Sequence, residues 1–304
     1  MIKADRLSKK YGKKTAVDNV SFKVESGKVT GFLGPNGAGK STTMRLMLGL
    51  DNGQGQTTFD GKALHDYQQP SKAVGILLEA KAFHPTRSPR NHLRILADAG
   101  GIDLKRVDEV LEIVGLTKVA RKKPGKFSLG MSQRLGIAAA ILGEPKYLML
   151  DEPANGLDPE GIAWLRDFLR DYAAKGNAVF VSSHLLSEMS QMADNVVVIG
   201  QGKLIADAPI ADLIAGSSHA GIFVRSPKLD ELKKALAAQK KATVKTVPHG
   251  LEVKGMKIDD IGKLAFDKRL PIYELSQQAA SLEEAFLELT AGSEEFATKS
   301  EAKK

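Results

Sequence analysis

Val29-Thr30-Gly31-Phe32-Leu33-Gly34-Pro35-Asn36-Gly37-Ala38-Gly39-Lys40-Ser41-Thr42 runs from an apolar strand pattern into a glycine-rich loop closed by a lysine and two hydroxyl residues. Its octet Gly34–Ser41 satisfies G-x-x-x-x-G-K-[ST]. In such a loop the glycines let successive backbone N–H groups turn inward around a β-phosphate. Lys40 lends a point charge to the β and γ oxygens, and the Ser41 hydroxyl ligates Mg²⁺. The apolar positions Met44, Leu46, Met47 and Leu48 predict a helix that ends at Gly49, and its positive dipole end faces the same anion.

Outward from this loop, strand and helix patterns alternate. Ile2–Leu7 and Ala16–Val24 read as strands before the loop, and Thr57–Phe59 with the turn Asp60-Gly61 as an antiparallel strand after it. Helical periodicity dominates from about 87 to 143, in Asn91–Ala99, Leu104–Val114 and Ser128–Leu142. Strand Tyr147–Leu150, helix Pro159–Lys175, strand Ala178–Val181, helix Leu185–Ala193 and strand Val196–Ile199 follow. This order predicts an α/β P-loop NTPase core with an antiparallel β subdomain and a helical insertion at 87–143, together spanning 1–216. After the break at Gly216-Ser217-Ser218, residues 217–290 read as a small α+β domain of ferredoxin-like βαββαβ order. The small and charged residues 291–304 read as a disordered tail.

Apolar residues make up 42% of the 304 residues and charged residues 26%, an ordinary globular balance. No stretch approaches the ~18 consecutive apolar residues of a membrane span, and the first residues lack the apolar core of a secretory signal. With no cysteine, disulfides and thiolate metal sites are excluded, which fits a reducing cytosol. The net charge of +8 is spread over Lys9, Lys10, Lys13, Lys14 and the loop Arg121–Lys126. It reads as solvated surface with some attraction to nucleotides or an anionic membrane, and not as a nucleic-acid interface.

A second constellation stands at Leu148-Met149-Leu150-Asp151-Glu152, an apolar strand that ends in two acids. The first acid holds Mg²⁺ beside the phosphate loop, and the second polarises the attacking water as general base. Alone the pattern is common, but the phosphate loop upstream gives it meaning. Ser128 is placed to cap the helix that runs to Leu142.

At this point the chain resembles the ABC-type ATPases over roughly residues 2–216. Phe127-Ser128-Leu129-Gly130-Met131-Ser132-Gln133-Arg134 is similar to the family signature L-S-G-G-Q, with departures at Leu129 and Met131. Asn155-Gly156-Leu157-Asp158 resembles the D-loop, and His184 stands where the family has its switch histidine. Tyr11 stands at the place of an aromatic that stacks on adenine, a contact worth about 1–3 kcal/mol by analogy with base stacking. The resemblance implies ATP bound by Tyr11 and Gly34 to Thr42, with Mg²⁺ at Ser41 and Asp151. It implies hydrolysis by Glu152, His184 and Lys40. Ser128, Gly130 and Asp158 then act on the ATP of a second copy, in a head-to-tail dimer.

One position departs from the family. Where a glutamine normally ends the strand Val74–Leu78, this chain has Glu79, a further candidate for the metal or for coupling to the membrane partner. That glutamate, the S-L-G-M signature and the ending Ser281-Leu282-Glu283-Glu284-Ala285-Phe286 resemble the bacitracin and daunorubicin resistance branch. The branch implies export of an antibiotic-like compound through a separate multispan permease, with this subunit on the inner face of the cell membrane. A soluble ABC ATPase acting on ribosomes or DNA is the alternative reading, although such chains carry two cassettes or a long coiled coil. A simple P-loop kinase would have no use for the Ser128–Arg134 and His184 elements.

Overall fold

The structure, a computed structural model, describes residues 1–216, 221–239, 242–278 and 281–290. The chain forms two compact units, one within Met1–Ile210 and the other Ala211–Leu289. Among the described residues no helix is long and apolar enough to cross a membrane.

The first unit opens with strands β1 (Ile2–Tyr11) and β2 (Lys14–Val24), then β3 (Val29–Leu33), helix α1 (Lys40–Met47) and β4 (Gln54–Phe59). Next come α2 (Pro70–Ala73), β5 (Val74–Leu77), α3 (Pro89–Gly100), α4 (Lys105–Ile113) and α5 (Leu129–Ala140). It continues with β6 (Tyr147–Leu150), α6 (Pro159–Ala174), β7 (Ala178–Ser182), α7 (Leu186–Met192), β8 (Asn195–Gly200) and β9 (Lys203–Pro209).

Two sheets result: an antiparallel one in the order β2-β1-β4, and a six-stranded one in the order β5-β6-β7-β3-β8-β9. In the second sheet only β9 runs antiparallel to its neighbour. The strands β3, β6 and β7 are buried at every position, as a parallel sheet covered on both faces requires. Ile2, Val20 and Phe22 from the first sheet share one core with Phe32, Met149 and Phe180 from the second and Met44 and Met47 from α1. Phe22 stacks on Phe180 with ring centroids 5.3 Å apart. This core fixes α1, and with it the loop between β3 and α1.

The helical segment is anchored by local chemistry. Ser88 caps α3 by accepting from the Asn91 N–H, Pro89 takes the first helical position, and Gly101 ends the helix in the left-handed region. Arg134 ties α5 to its neighbours: it donates to the Val114 carbonyl at 3.1 Å and lies over the Trp164 ring at 4.6 Å.

The second unit contains α8 (Ile210–Gly216, beginning at the unit's edge), β10 (Gly221–Arg225), α9 (Leu229–Ala237), β11 (Thr243–Val247) and β12 (Gly250–Lys254). It ends with α10 (Ile258–Asp267), β13 (Glu274–Gln278) and α11 (Leu282–Thr290). Its sheet is antiparallel, in the order β11-β12-β10-β13. A core of Ile222, Val224, Leu232, Leu236, Leu251, Val253 and Ile261 lies under it.

Several sequence expectations shift. The first strand extends past Leu7 to Tyr11, because it pairs with both β2 and β4 and bulges near Leu7 where the alternation slips. The last strand of the second unit starts at Glu274 and not at Ile272. Strand β9 and helix α8 lie outside the expectation, since β9 is an edge strand whose half-exposed residues give no apolar run. The tail 291–304, and most of the Gly216–Ser218 break, lie outside the described residues.

Candidate nucleotide site

The loop after β3 wraps the N-terminus of α1. Gly39 precedes the helix with φ of 102°, and a Cβ there would stand 2.4 Å from the Ala16 carbonyl oxygen, so only glycine fits. No side chain caps α1. Its first N–H groups therefore point outward without a side-chain acceptor, the arrangement that receives phosphate. A cavity of about 590 Å³ opens over them, lined by Pro35 to Thr42 with Tyr11, Glu152 and His184. Gly34 lies behind this lining, and its carbonyl holds Lys40.

Lys40 is 8% exposed, and its ammonium donates to the Gly34 carbonyl at 2.7 Å. Burial pushes its pKa down, while the charges of Glu152 and Asp151 pull it up. Glu152 Oε1 stands 4.0 Å from Lys40 Nζ. These two carboxylates offset a buried cation that otherwise has only carbonyl partners.

Asp151 and Glu152 leave the end of β6 in different directions. Asp151 is buried and accepts from the Ser182 hydroxyl, and its N–H donates to the Leu77 carbonyl at 2.7 Å. Glu152 takes a left-handed φ of 49°, an uncommon place for a residue with a Cβ. That turn directs its carboxylate into the cavity, where Oε2 stands 2.7 Å from His184 Nδ1. A carboxylate held by an imidazole and aimed into the cavity is placed to accept a proton from water there.

The signature segment lies apart from this lining. Ser128 caps α5 by accepting from the Met131 N–H at 3.2 Å, and Asp158 caps α6 by accepting from the Gly161 N–H at 3.0 Å. Gly156 has φ of 76°, and a Cβ there would stand 2.4 Å from the Leu129 side chain. Thus the start of α5 rests on the Asn155–Asp158 turn. Ser128, Gly130, Asp158 and Glu79 are not brought into the cavity lining. Glu79 is exposed just beyond β5, which pairs in parallel with β6, so it leaves the sheet at the same end as Asp151.

Tyr11 is 50% exposed at the rim. Its hydroxyl donates to Asp51 at 2.9 Å, and Asp51 also accepts from Arg45 at 3.2 Å, which fixes the ring's position. The Asp51 bond also raises the Tyr11 pKa. Lys14, Ala16 and Asn155 line the cavity as well, beyond the candidates read from sequence. Lys14 pairs directly with Tyr11 across the β1–β2 hairpin, whose turn is Gly12-Lys13.

Residues 17–155 match the family model described as ABC transporter, and residues 220–283 match one described as a domain of unknown function, DUF8746. The chain is 35% identical over 301 residues to "Uncharacterized ABC transporter ATP-binding protein YhcH" of Bacillus subtilis (strain 168), covering 97% of each chain. It belongs to the ABC transporter ATP-binding proteins. As a member of that family, the chain binds ATP and is an ATPase whose hydrolysis is coupled to transport. This ABC subunit is also 44% identical over 222 residues to the bacitracin transport ATP-binding protein BcrA of Bacillus licheniformis, covering 70% of this chain and 71% of the relative. The dimeric MJ0796 bacterial ABC transporter cassette shares the fold with a TM-score of 0.62 at 23% identity, over 69% of this chain and 98% of that one.

Proposed function

We propose that this ATPase subunit works as a head-to-tail pair under a separate multispan permease, on the cytoplasmic face of the membrane, and powers export of an antibiotic-like compound. The similarity to the bacitracin transport protein carries the substrate class. The pairing is supported by the separation of Ser128 and Gly130 from the cavity of their own chain. It leaves the α5 N-terminus free to meet a γ-phosphate held by a second copy.

In this reading ATP lies on Tyr11 with its phosphates on Asn36 to Thr42, and Lys40 touches the β and γ oxygens. Glu152 takes the proton of the attacking water, and His184 holds the Glu152 carboxylate in place and contacts the γ-phosphate. Mg²⁺ would be held by Ser41 and Asp151, which offer the hard oxygen donors it prefers. Among the described residues no cluster of three or more His, Cys, Asp or Glu is arranged for a metal. That fits an ion held by few protein oxygens and completed by substrate phosphates. When bound, the ion neutralises the charge that develops on the phosphates. Glu79 is proposed as the residue that relays the metal's state to the permease.

The domain division proposed is 1–216 for the ATPase, with its helical part at 87–143, and 217–290 for an accessory domain. The strand order β11-β12-β10-β13, with α9 and α10 as crossovers, supports a ferredoxin-like arrangement of that domain.

The pairing is tested by size-exclusion chromatography of Glu152→Gln with ATP: a dimer is expected, and a monomer at saturating ATP removes the cross-chain site. The substrate class is tested by deleting the chain from its host. Sensitivity to bacitracin-like peptides should rise several-fold and be restored by the wild-type chain but not by Lys40→Met. Unchanged sensitivity rejects that class.

A further inference from the structure

We infer that Gln133 is a positioning residue that ties the signature helix to the catalytic Glu152, so that engagement of α5 sets the geometry of the general base. The inference deepens the paired reading above and rests on it.

Glu152 holds a left-handed backbone that persists only where its surroundings enforce it. Its N–H donates to the Ser182 hydroxyl at 2.9 Å. Its carbonyl accepts from Gln133 Nε2 at 3.1 Å and from the Asn155 N–H at 3.2 Å. Ser182 ends β7, and Asn155 follows Glu152 by three residues. Gln133 comes from α5, nineteen residues upstream, and is 3% exposed.

The amide orientation follows from chemistry, because a carbonyl only accepts and so the NH₂ faces Glu152. The Gln133 Oε1 atom is then left buried without a hydrogen-bond partner. A buried amide half satisfied, spent on one backbone carbonyl, is an unfavourable choice for packing alone. It makes sense where that carbonyl must be held.

Leu129 and Gln133 lie four residues apart and share one face of α5. The first packs over Gly156, and the second bonds Glu152. The helix thus grips the 152–156 segment at both ends of one turn, while Arg134 fastens it to Val114 and Trp164. A displacement of the Ser128 end by a second copy's ATP is therefore passed to the Glu152 peptide. Hydrolysis in one site is linked in this way to occupancy of the other.

Two variants test the tie in the full chain. Gln133→Met keeps the volume and removes the donor; kcat should fall at least tenfold with KM for ATP within twofold of wild type. Gln133→Glu keeps the shape and donates only when its carboxyl is protonated, a state that burial favours. Its kcat relative to wild type should be highest near pH 6 and decline toward that of Gln133→Met at pH 8.5. If Gln133→Met retains kcat within twofold, Gln133 only fills space; if both variants lose activity equally at every pH, the loss does not follow the donor and the tie is rejected. Should Gln133→Met fail to fold by circular dichroism, the Gln133→Glu pH profile decides. If Glu152→Gln stays monomeric with ATP while Gln133→Met still loses kcat, the pairing fails and the tie survives. The opposite result keeps the pairing and discards the tie.

Discussion

His184 Nδ1 and Glu152 Oε2 stand 2.7 Å apart, across the mouth of a cavity whose floor is the phosphate loop. The carboxylate only accepts, so Nδ1 carries the proton in this bond. His184→Ala leaves the carboxylate unoriented. We expect kcat to fall by about 10²–10⁴ with little change in ATP affinity, read by steady-state hydrolysis and nucleotide titration. A parallel loss of affinity would mean that His184 acts in binding.

Lys40 presents the opposite balance. Burial lowers its pKa, with Glu152 and Asp151 opposing, so the folded state binds this proton less well than the unfolded chain. By linkage the charged lysine detracts from stability below its folded value, and the penalty lifts as pH rises through the unfolded one. Lys40→Met should therefore lose at least tenfold in ATP affinity, about 1.4 kcal/mol, while its thermal midpoint at pH 7 holds or rises. A lower midpoint would show that the Gly34 carbonyl bond outweighs desolvation.

Glu188 on α7 has a buried carboxylate oxygen without a hydrogen-bond partner. Burial raises its pKa, His184 lowers it and Glu152 raises it. A raised carboxylate value favours the folded state below the unfolded pKa and loses that favour as pH rises through the folded value. Glu188→Gln removes the penalty. It should raise stability at pH 7.5 and change it hardly at all near pH 4. Thermal melts at the two pH values check this, and an equal gain at both would point to packing instead of charge.

The parts legible in sequence are those where chemistry dictates both residue type and spacing. A phosphate loop needs glycine at positions such as Gly39, where backbone approaches backbone, and the family pattern preserves that need in plain letters. Strand β3, buried throughout, announces itself as an apolar run. By contrast β9 is a half-exposed edge, and its partner strand alone makes it a strand. Gln133 was illegible for a different reason: its partner is a backbone carbonyl, which leaves no trace in the letters of the other segment. Lys14 enters the site through hairpin register, a one-residue matter that composition does not report.

The cross-chain site makes a prediction that no single-chain site shares. Ser128→Ala removes a cap worth about 1 kcal/mol and the hydroxyl proposed to meet the partner's γ-phosphate, but leaves its own phosphate loop intact. Lys40→Met disables the loop and leaves its signature intact. Each pure variant should have little ATPase activity. In a mixed pair, the loop of the Ser128→Ala chain meets the signature of the Lys40→Met chain, and one complete site forms. Mixing the two inactive proteins in equal amounts should restore hydrolysis to at most about a quarter of wild type, since half the random pairs carry one working site of two, and to less than that where the working site depends on ATP in the other. Additivity of the two residual rates, with no restoration, would place Ser128 and Lys40 in the same chain's site.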